Sequence, residues 1–436
     1  MKRNPNIVFM ISHDTGRQLG CYGRDVDTPA LDALAQRGIR FDGAFCCAPQ
    51  CSPSRSGIAT GMYPHRNGMM GLAHIGWSMP GGIPKLPEQM SAAGYRTVLV
   101  GHQHEGIEED KRHGYQRIVQ PQKSNQGAGA VAELAVGVLE ELAQSGVADP
   151  FYLAVGFEET HRPFDRDSAA KTAADRSGPP YLPDHQDVRR EMGQFAHCAR
   201  KLDDGVGQIV SAIDRLGLAE ETLILYTTDH GIAFPRAKGT LYDPGLETAL
   251  LVSWQGTIAA NQVRTNLTCN IDLFPTLCDL VGVAIAPDID GRSFAQTLFG
   301  ETPAHRNHMF AELTWHDAYH PVRGVRTEEH KYIRHFARGP SVYIPLDIHT
   351  GPAGQAVREE YYATECMAEE LYDLHNDPLE QHNVVNDPRY KAVLRDLRGR
   401  VSRWMEETAD PLLKGDIPGH EAPGWEEERE RGTMPF

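Results

Sequence analysis

Residues 6–12 form a near-continuous apolar run, the pattern of a strand buried on both faces of a parallel sheet, and it ends at His13-Asp14. Thr28-Pro29 then reads as a helix N-cap followed by proline at the first helical position, with Leu31, Leu34 and Ala35 on one face and Gly38 as the stop. The alternation repeats. Residues 86–94 predict a helix, 97–101 a strand, 130–145 a helix and 151–156 a strand. An amphipathic segment at 189–216 leads into a strand at 222–228, and 249–254 is a further short apolar strand. Strand followed by helix, several times over, predicts an α/β chain with a doubly wound sheet.

From residue 301 onward the rhythm is lost. Residues 324–335 predict a strand or hairpin, 339–354 a Gly/Pro-containing stretch, and 389–407 a closing helix. The economical division is a large α/β domain over 1–300 and a smaller α+β subdomain over 301–436. The mixed-charge segment 426–431 reads as solvated surface.

Charge and cysteine content narrow the chemistry. Across 436 residues, 43 Lys and Arg stand against 59 Asp and Glu, a net charge of −16 that argues against a nucleic-acid partner while leaving room for a locally positive anion site. No apolar run approaches the roughly 20 residues that span a bilayer, so no membrane partner is expected. The apolar run near the N-terminus is too short for an export signal, which makes the expected location cytoplasmic and the eight cysteines reduced. The Asn266-Leu267-Thr268 sequon then carries no meaning.

In open α/β sheets, ligands sit beyond the carboxyl ends of the strands. Four polar clusters fall there: His13-Asp14, His102 with His104, His161-Arg162, and Asp229-His230. Any one of them alone reads as a cap or turn, but four on one edge point to a site, and carboxylate with imidazole suits a divalent metal. A fifth feature is Cys51-Ser52-Pro53-Ser54-Arg55. A thiolate zinc site is disfavoured because no second paired-cysteine arm exists. A Ser-Pro-Ser turn entering a helix would instead set Cys51 near backbone N–H groups with Arg55 one turn along, which suits an anion-binding nucleophile.

The same five residues match the CxPxR signature of the sulfatase family, in which the cysteine is oxidised to formylglycine. The resemblance extends to 28–35, Thr60-Gly-Met-Tyr-Pro-His65, Thr228-Asp-His-Gly231, Lys238-Gly-Thr-Leu-Tyr242 and 371–378, and so covers nearly the whole chain. Within the family it is most similar to the sulfamidases (N-sulfoglucosamine sulfohydrolases), through 67–72, 231–235, 240–245 and 404–411. The resemblance implies an alkaline-phosphatase-like large mixed sheet flanked by helices, with a small C-terminal sheet subdomain. It also implies hydrolysis of a sulfate ester or N-sulfamate, with a sugar as the small sulfated substrate and a formylglycine-generating enzyme as a transient partner.

Carried over by position, Asp14, Asp229, His230 and the modified Cys51 resemble the ligands of one divalent metal ion, Ca²⁺, Mn²⁺ or Mg²⁺. Arg55 would hold the formylglycine hydrate, His104 would assist sulfate release, and His161 and Lys238 would contact the sulfate and leaving group. Three departures stand out: His13 where the family usually has a second carboxylate, His230 where it usually has Asn, and His102 where it has a lysine; His102 is therefore read as substrate-binding. Asp229-His230 also resembles the phosphonate monoester hydrolases, which makes a phosphonate or phosphodiester hydrolase the runner-up. A non-catalytic anion-binding relative is the alternative of another class. The loops 71–84 and 313–320 carry Trp77, Trp315 and His316, which either shape the pocket or pack its rim, and His65 and His74 read as surface polar groups. Oligomeric state is not legible.

Overall fold

The computed structural model describes residues 4–106, 113–122, 126–145, 149–164, 167–285, 287–300 and 305–420. The charged segment 426–431 and the expected boundary at 301 lie outside them. Eight strands make the large sheet: β1 (Asn6–Ser12), β2 (Ile39–Phe41), β3 (Arg96–Gly101), β4 (Arg117–Val119), β5 (Phe151–Gly156), β6 (Thr222–Thr228), β7 (Leu250–Ser253) and β8 (Gln262–Arg264), in the order β4-β3-β5-β1-β6-β7-β2-β8. It is a mixed sheet. The centre from β4 to β6 is parallel, and β7 runs antiparallel to both β6 and β2.

Alternation along each central strand sends side chains to two cores. Val8, Met10, Val98, Val100, Leu153, Val155 and Ile224 meet helices α1 (Pro29–Gln36), α3 (Ala128–Gln144) and α4 (Gln186–Arg215), while Ile7, Phe9, Leu99, Ala154 and Leu225 meet Met90, Phe274 and Leu277 on the other face. Between them in sequence lies α2 (Cys51–Thr60), buried along its whole length. Thr28 does not cap α1 as expected. Its hydroxyl serves Gly20 N (2.8 Å) and Asp32 (3.2 Å), and the open N–H groups of Ala30 and Leu31 donate instead to Asp203 of α4, at 3.1 and 2.7 Å.

The register aligns the strand ends. Ser12 lies opposite Thr228, and both Ile11 and Gly101 lie opposite Gly156, so the residues following β1, β3, β5 and β6 leave the sheet along one edge. Gly156 is required there: a Cβ on it would lie 1.8 Å from the carbonyl oxygen of His102.

Residues 324–335 resolve into a hairpin of a separate four-stranded antiparallel sheet: β9 (His308–Trp315), β10 (Tyr319–Thr327), β11 (His330–His335) and β12 (Glu369–Asp373). The Gly/Pro-containing stretch 339–354 holds a helical turn, α5 (Leu346–His349), and the start of α6 (Pro352–Tyr362). The closing helix α7 (Lys391–Glu407) buries Leu397, Val401, Trp404 and Met405 in the cluster that includes this sheet. Among the described residues no helix is long and apolar enough to cross a membrane, and all eight cysteines are free thiols.

Candidate active site

Cys51 is the first residue of α2, 2% exposed, beneath the edge where β1 and β6 end. Its Sγ lies 3.5 Å from His230 Nε2, 3.8 Å from Asp14 Oδ1 and 3.9 Å from His13 Nδ1. Burial raises the thiol pKa, but the charges of His13 and Lys238 outweigh it and hold the group well below the usual thiol range.

Asp14 takes a left-handed backbone conformation (φ 56°) as the chain turns out of β1. Its Oδ1 lies 2.8 Å from His13 Nδ1 and 3.0 Å from His230 Nε2, and its Oδ2 accepts from Lys238 Nζ at 2.7 Å. Asp229, fully buried, accepts from Arg55 Nε at 3.0 Å on Oδ2 and from the backbone N–H groups of Asp14 and His230, both at 2.9 Å, on Oδ1. Burial alone would raise both carboxyl pKa values. Lys238, His13 and His230 pull Asp14 down, and His230, His13 and Arg55 pull Asp229 down.

His102 and His104 follow β3, and His161 follows β5. Desolvation, reinforced by the charges of His13 and Arg55, pushes His102 well below the ordinary imidazole range, and desolvation brings His104 to about 4 against the opposing pull of Cys51, so both rings are neutral at pH 7. His102 Nε2 and His104 Nδ1 are buried without a hydrogen-bond partner. His161 Nδ1 donates to the Arg162 carbonyl at 2.6 Å, which turns Nε2 toward Asp14 Oδ2, 3.9 Å away.

The nine residues singled out in the sequence therefore meet at one sheet edge. The family model described as Sulfatase matches residues 5–283. The chain belongs to the sulfatase family. A second family model, described as N-sulphoglucosamine sulphohydrolase, C-terminal, matches residues 234–360 of this sulfatase. Human N-sulphoglucosamine sulphohydrolase is 26% identical to it, over 94% of this chain and 92% of that protein, and human arylsulfatase A is 30% identical, over 88% and 84%. Two solved structures share the fold: one in complex with its substrate D-glucosamine-2-N,6-O-disulfate (TM-score 0.72, 18% identity, 94% of this chain and 99% of that one), and a 2-O GAG sulfatase (TM-score 0.73, 22% identity, 98% and 100%).

The donor set of this sulfatase fits a divalent cation. Donor atoms of His13, Asp14, Cys51 and Asp229 lie within 4.8 Å of one another. His230 Nδ1 must donate to the Gly231 carbonyl it faces at 2.9 Å, so a neutral ring turns its Nε2 lone pair on Asp14 Oδ1, and two buried acceptors 3.0 Å apart require a cation or a proton between them. His13 belongs to this group although its part was not read from the sequence; its adjacency to Asp14 at a strand end was the available signal.

Three further residues carried no such signal. Asp347 accepts from Lys238 Nζ at 2.8 Å across 109 positions. His74, expected at the surface and indeed exposed, nevertheless touches the half-buried ring of His104, with Nδ1 3.2 Å from Nε2. His65, also expected there, is only 8% exposed, because Glu312 of the small sheet binds both its Nδ1 (2.6 Å) and its backbone N–H (2.7 Å). Glu312 shares that buried corner with Asp410 and with Arg323, whose guanidinium supplies the cation. Trp77 packs in one apolar cluster with Cys51, Met69, Leu72 and Ile417, and Trp315 rests on this cluster while donating to the Ile417 carbonyl at 2.8 Å.

Proposed function

We propose that this sulfatase hydrolyses a sulfate ester or N-sulfamate on a sugar, using formylglycine made from Cys51 and one divalent metal ion. The observation that carries the reading is Cys51 at the start of a buried helix, with Asp14 and His230 within 4 Å of its sulfur. Formylglycine supplies a hydrated aldehyde as nucleophile. Asp14, Asp229, His230 and the modified Cys51 side chain, with His13 beside them, would hold the metal, which supplies Lewis-acid polarisation when bound. Since Cys51 is 2% exposed, a converting enzyme must reach it before the chain closes around it.

The chain's own groups take complementary parts. Arg55 fixes Asp229 and adds positive charge beneath the anion. Lys238 stays protonated because Asp14 and Asp347 outweigh its burial, and it is placed to donate to a sulfuryl oxygen. His104, neutral at pH 7, is available to accept a proton as sulfate is expelled, and His161 presents Nε2 on the leaving-group side. Histidine at positions 13 and 230 favours Mn²⁺ or another transition ion over Ca²⁺. The human sulphoglucosamine hydrolase likeness and the disulfated glucosamine held by the structural neighbour support a sugar substrate.

The test is kcat/KM on N-sulfoglucosamine, glucosamine 6-O-sulfate and a phosphonate monoester, with protein whose formylglycine content is established by peptide mass spectrometry. Turnover of a sulfated sugar that disappears in Cys51→Ala is expected. A phosphonate preference of more than about tenfold, or ~1.4 kcal/mol, overturns the reading in favour of the phosphonate hydrolase that His230 would also suit.

A further inference from the structure

Asp347 sits on α5, in the connection between β11 and β12, and joins the site from outside every motif. Its Oδ2 accepts from Lys238 Nζ at 2.8 Å, while its Oδ1 is buried without a hydrogen-bond partner. Its carboxylate lies in one group with Asp14 and with His161, their donor atoms within 4.8 Å of one another. The turn is held in place: Asp317 accepts from the Leu346 N–H and is itself bonded by His316 Nδ1 at 3.0 Å. His316 is 5% exposed, and its Nε2 also has no hydrogen-bond partner.

A carboxylate here is a puzzle for an anion site. Lys238 is already oriented by Asp14 at 2.7 Å, and a second negative charge beside it opposes a sulfuryl group and weakens the lysine's attraction for it. The unfilled acceptor is explained if the departing part of the substrate brings a hydrogen-bond donor that becomes cationic. We propose that Asp347 is a specificity-determining residue that accepts the N–H of a sulfamate leaving group, selecting N-sulfated over O-sulfated substrates.

The chemistry of the two substrates differs at this atom. For a sulfamate, R–NH–SO₃⁻ + H₂O gives R–NH₃⁺ + SO₄²⁻: the S–N electron pair stays on nitrogen, which takes up protons and gains positive charge. For an ester, R–O–SO₃⁻ + H₂O gives R–OH + SO₄²⁻ + H⁺: the leaving oxygen carries no hydrogen and gains negative charge as the S–O bond breaks. A carboxylate on the His161–Lys238 side stabilises the first developing charge and opposes the second, so its effect falls on the transition states rather than on binding of the sulfuryl group they share.

The inference rests on the sulfohydrolase reading, and the experiment separates the two. The kcat/KM ratio of N-sulfoglucosamine to glucosamine 6-O-sulfate is measured for the mature enzyme and for Asp347→Asn and Asp347→Glu. The ratio is expected to favour the sulfamate in the parent, to fall at least tenfold in Asp347→Asn and to recover in part in Asp347→Glu. Equal losses on both substrates leave the ratio unchanged and overturn the proposal, since Asp347 then acts only through Lys238. A parent enzyme that turns over only the O-sulfate ester also overturns it while leaving the sulfohydrolase reading intact, whereas a phosphonate preference removes that reading too. Calorimetric binding adds a readout without turnover: glucosamine should bind the parent more tightly than glucose does, and Asp347→Asn should lose that preference. Retention of the preference in a folded variant counts against the proposal.

Discussion

The ring of His74 lies almost parallel to that of His104, with centroids 5.4 Å apart, an interplanar angle of 14° and Nδ1 3.2 Å from Nε2. A residue at the exposed edge of the site thus fixes a half-buried imidazole that lies beside Cys51 and His13. Because His104 is held neutral, the contact also selects which of its nitrogens carries the proton.

Removing that contact should slow the chemistry without changing affinity. One hydrogen bond of about 1 kcal/mol corresponds to about a fivefold loss, so His74→Ala should lower kcat by roughly that factor with KM little changed. His74→Asn, which keeps a polar group at this position, should restore part of it. Steady-state kinetics on the best sulfated substrate decide the point. An unchanged kcat in His74→Ala would show that other contacts position His104.

The cap of α1 offers a test away from the site. Asp203 is 1% exposed and receives the N–H groups of Ala30 and Leu31 at 3.1 and 2.7 Å. Asp203→Ala leaves two buried donors unpaired at a helix start and should destabilise the protein by about 2 kcal/mol. Asp203→Asn, whose amide oxygen still accepts, should lose less. Denaturant midpoints measure both, and metal content should be the same in either variant.

Why some of this was legible in the sequence follows from burial. Strands β1, β3, β5 and β6 are covered on both faces, so they read as apolar runs. The edge strands β4 and β8 have three residues each, partly exposed, and leave no such pattern; nor does any periodicity encode that β7 runs antiparallel. Cys51, Arg55, Asp229 and Lys238 were legible because they belong to short motifs or follow strand ends. Asp347 and His74 were not, since each acquires its chemistry from a contact made only after folding, across 109 and 30 residues. His65 misled in the opposite direction: its partner Glu312 is 247 residues away, so nothing local distinguishes it from a surface histidine.

Stability should also depend on pH through the small sheet. His335 Nε2 lies 2.7 Å from Glu370 Oε1, and Glu370 Oε2 accepts from Tyr242 (2.9 Å) and Tyr372 (2.6 Å). Burial disfavours the imidazolium, but the nearby Cys366 thiol and the hydrogen bond to Glu370 outweigh it and raise the pKa from 6.5 to about 9. The folded state therefore binds this proton more tightly than the unfolded chain. The resulting stabilisation, about 3 kcal/mol, is complete below pH 6.5 and is lost as pH rises through 9. Melting curves of the parent and His335→Gln should converge by that amount across this window. Parallel curves would mean that the proton is not held by the fold.

If the proposed site holds a divalent ion, one side chain should move its metal preference. His13 places an imidazole nitrogen 2.8 Å from Asp14 Oδ1 and 3.5 Å from Asp229 Oδ2. Imidazole suits transition ions, whereas Ca²⁺ takes hard oxygen ligands and is bound more tightly as carboxylates are added. His13→Asp should therefore raise Ca²⁺ affinity relative to Mn²⁺ by at least about tenfold, or ~1.4 kcal/mol. Competitive titration of the metal-stripped protein gives this ratio without any substrate. Chelation should remove turnover from the parent, and Mn²⁺ should restore it better than Ca²⁺, with the order reversed or levelled in His13→Asp. If both ions bind the two proteins in the same ratio, His13 lies outside the coordination sphere and its bond to Asp14 only orients that carboxylate. Asp229→Asn then provides the internal control: whatever His13 does, replacing a carboxylate held by Arg55 at 3.0 Å should weaken binding of both ions together.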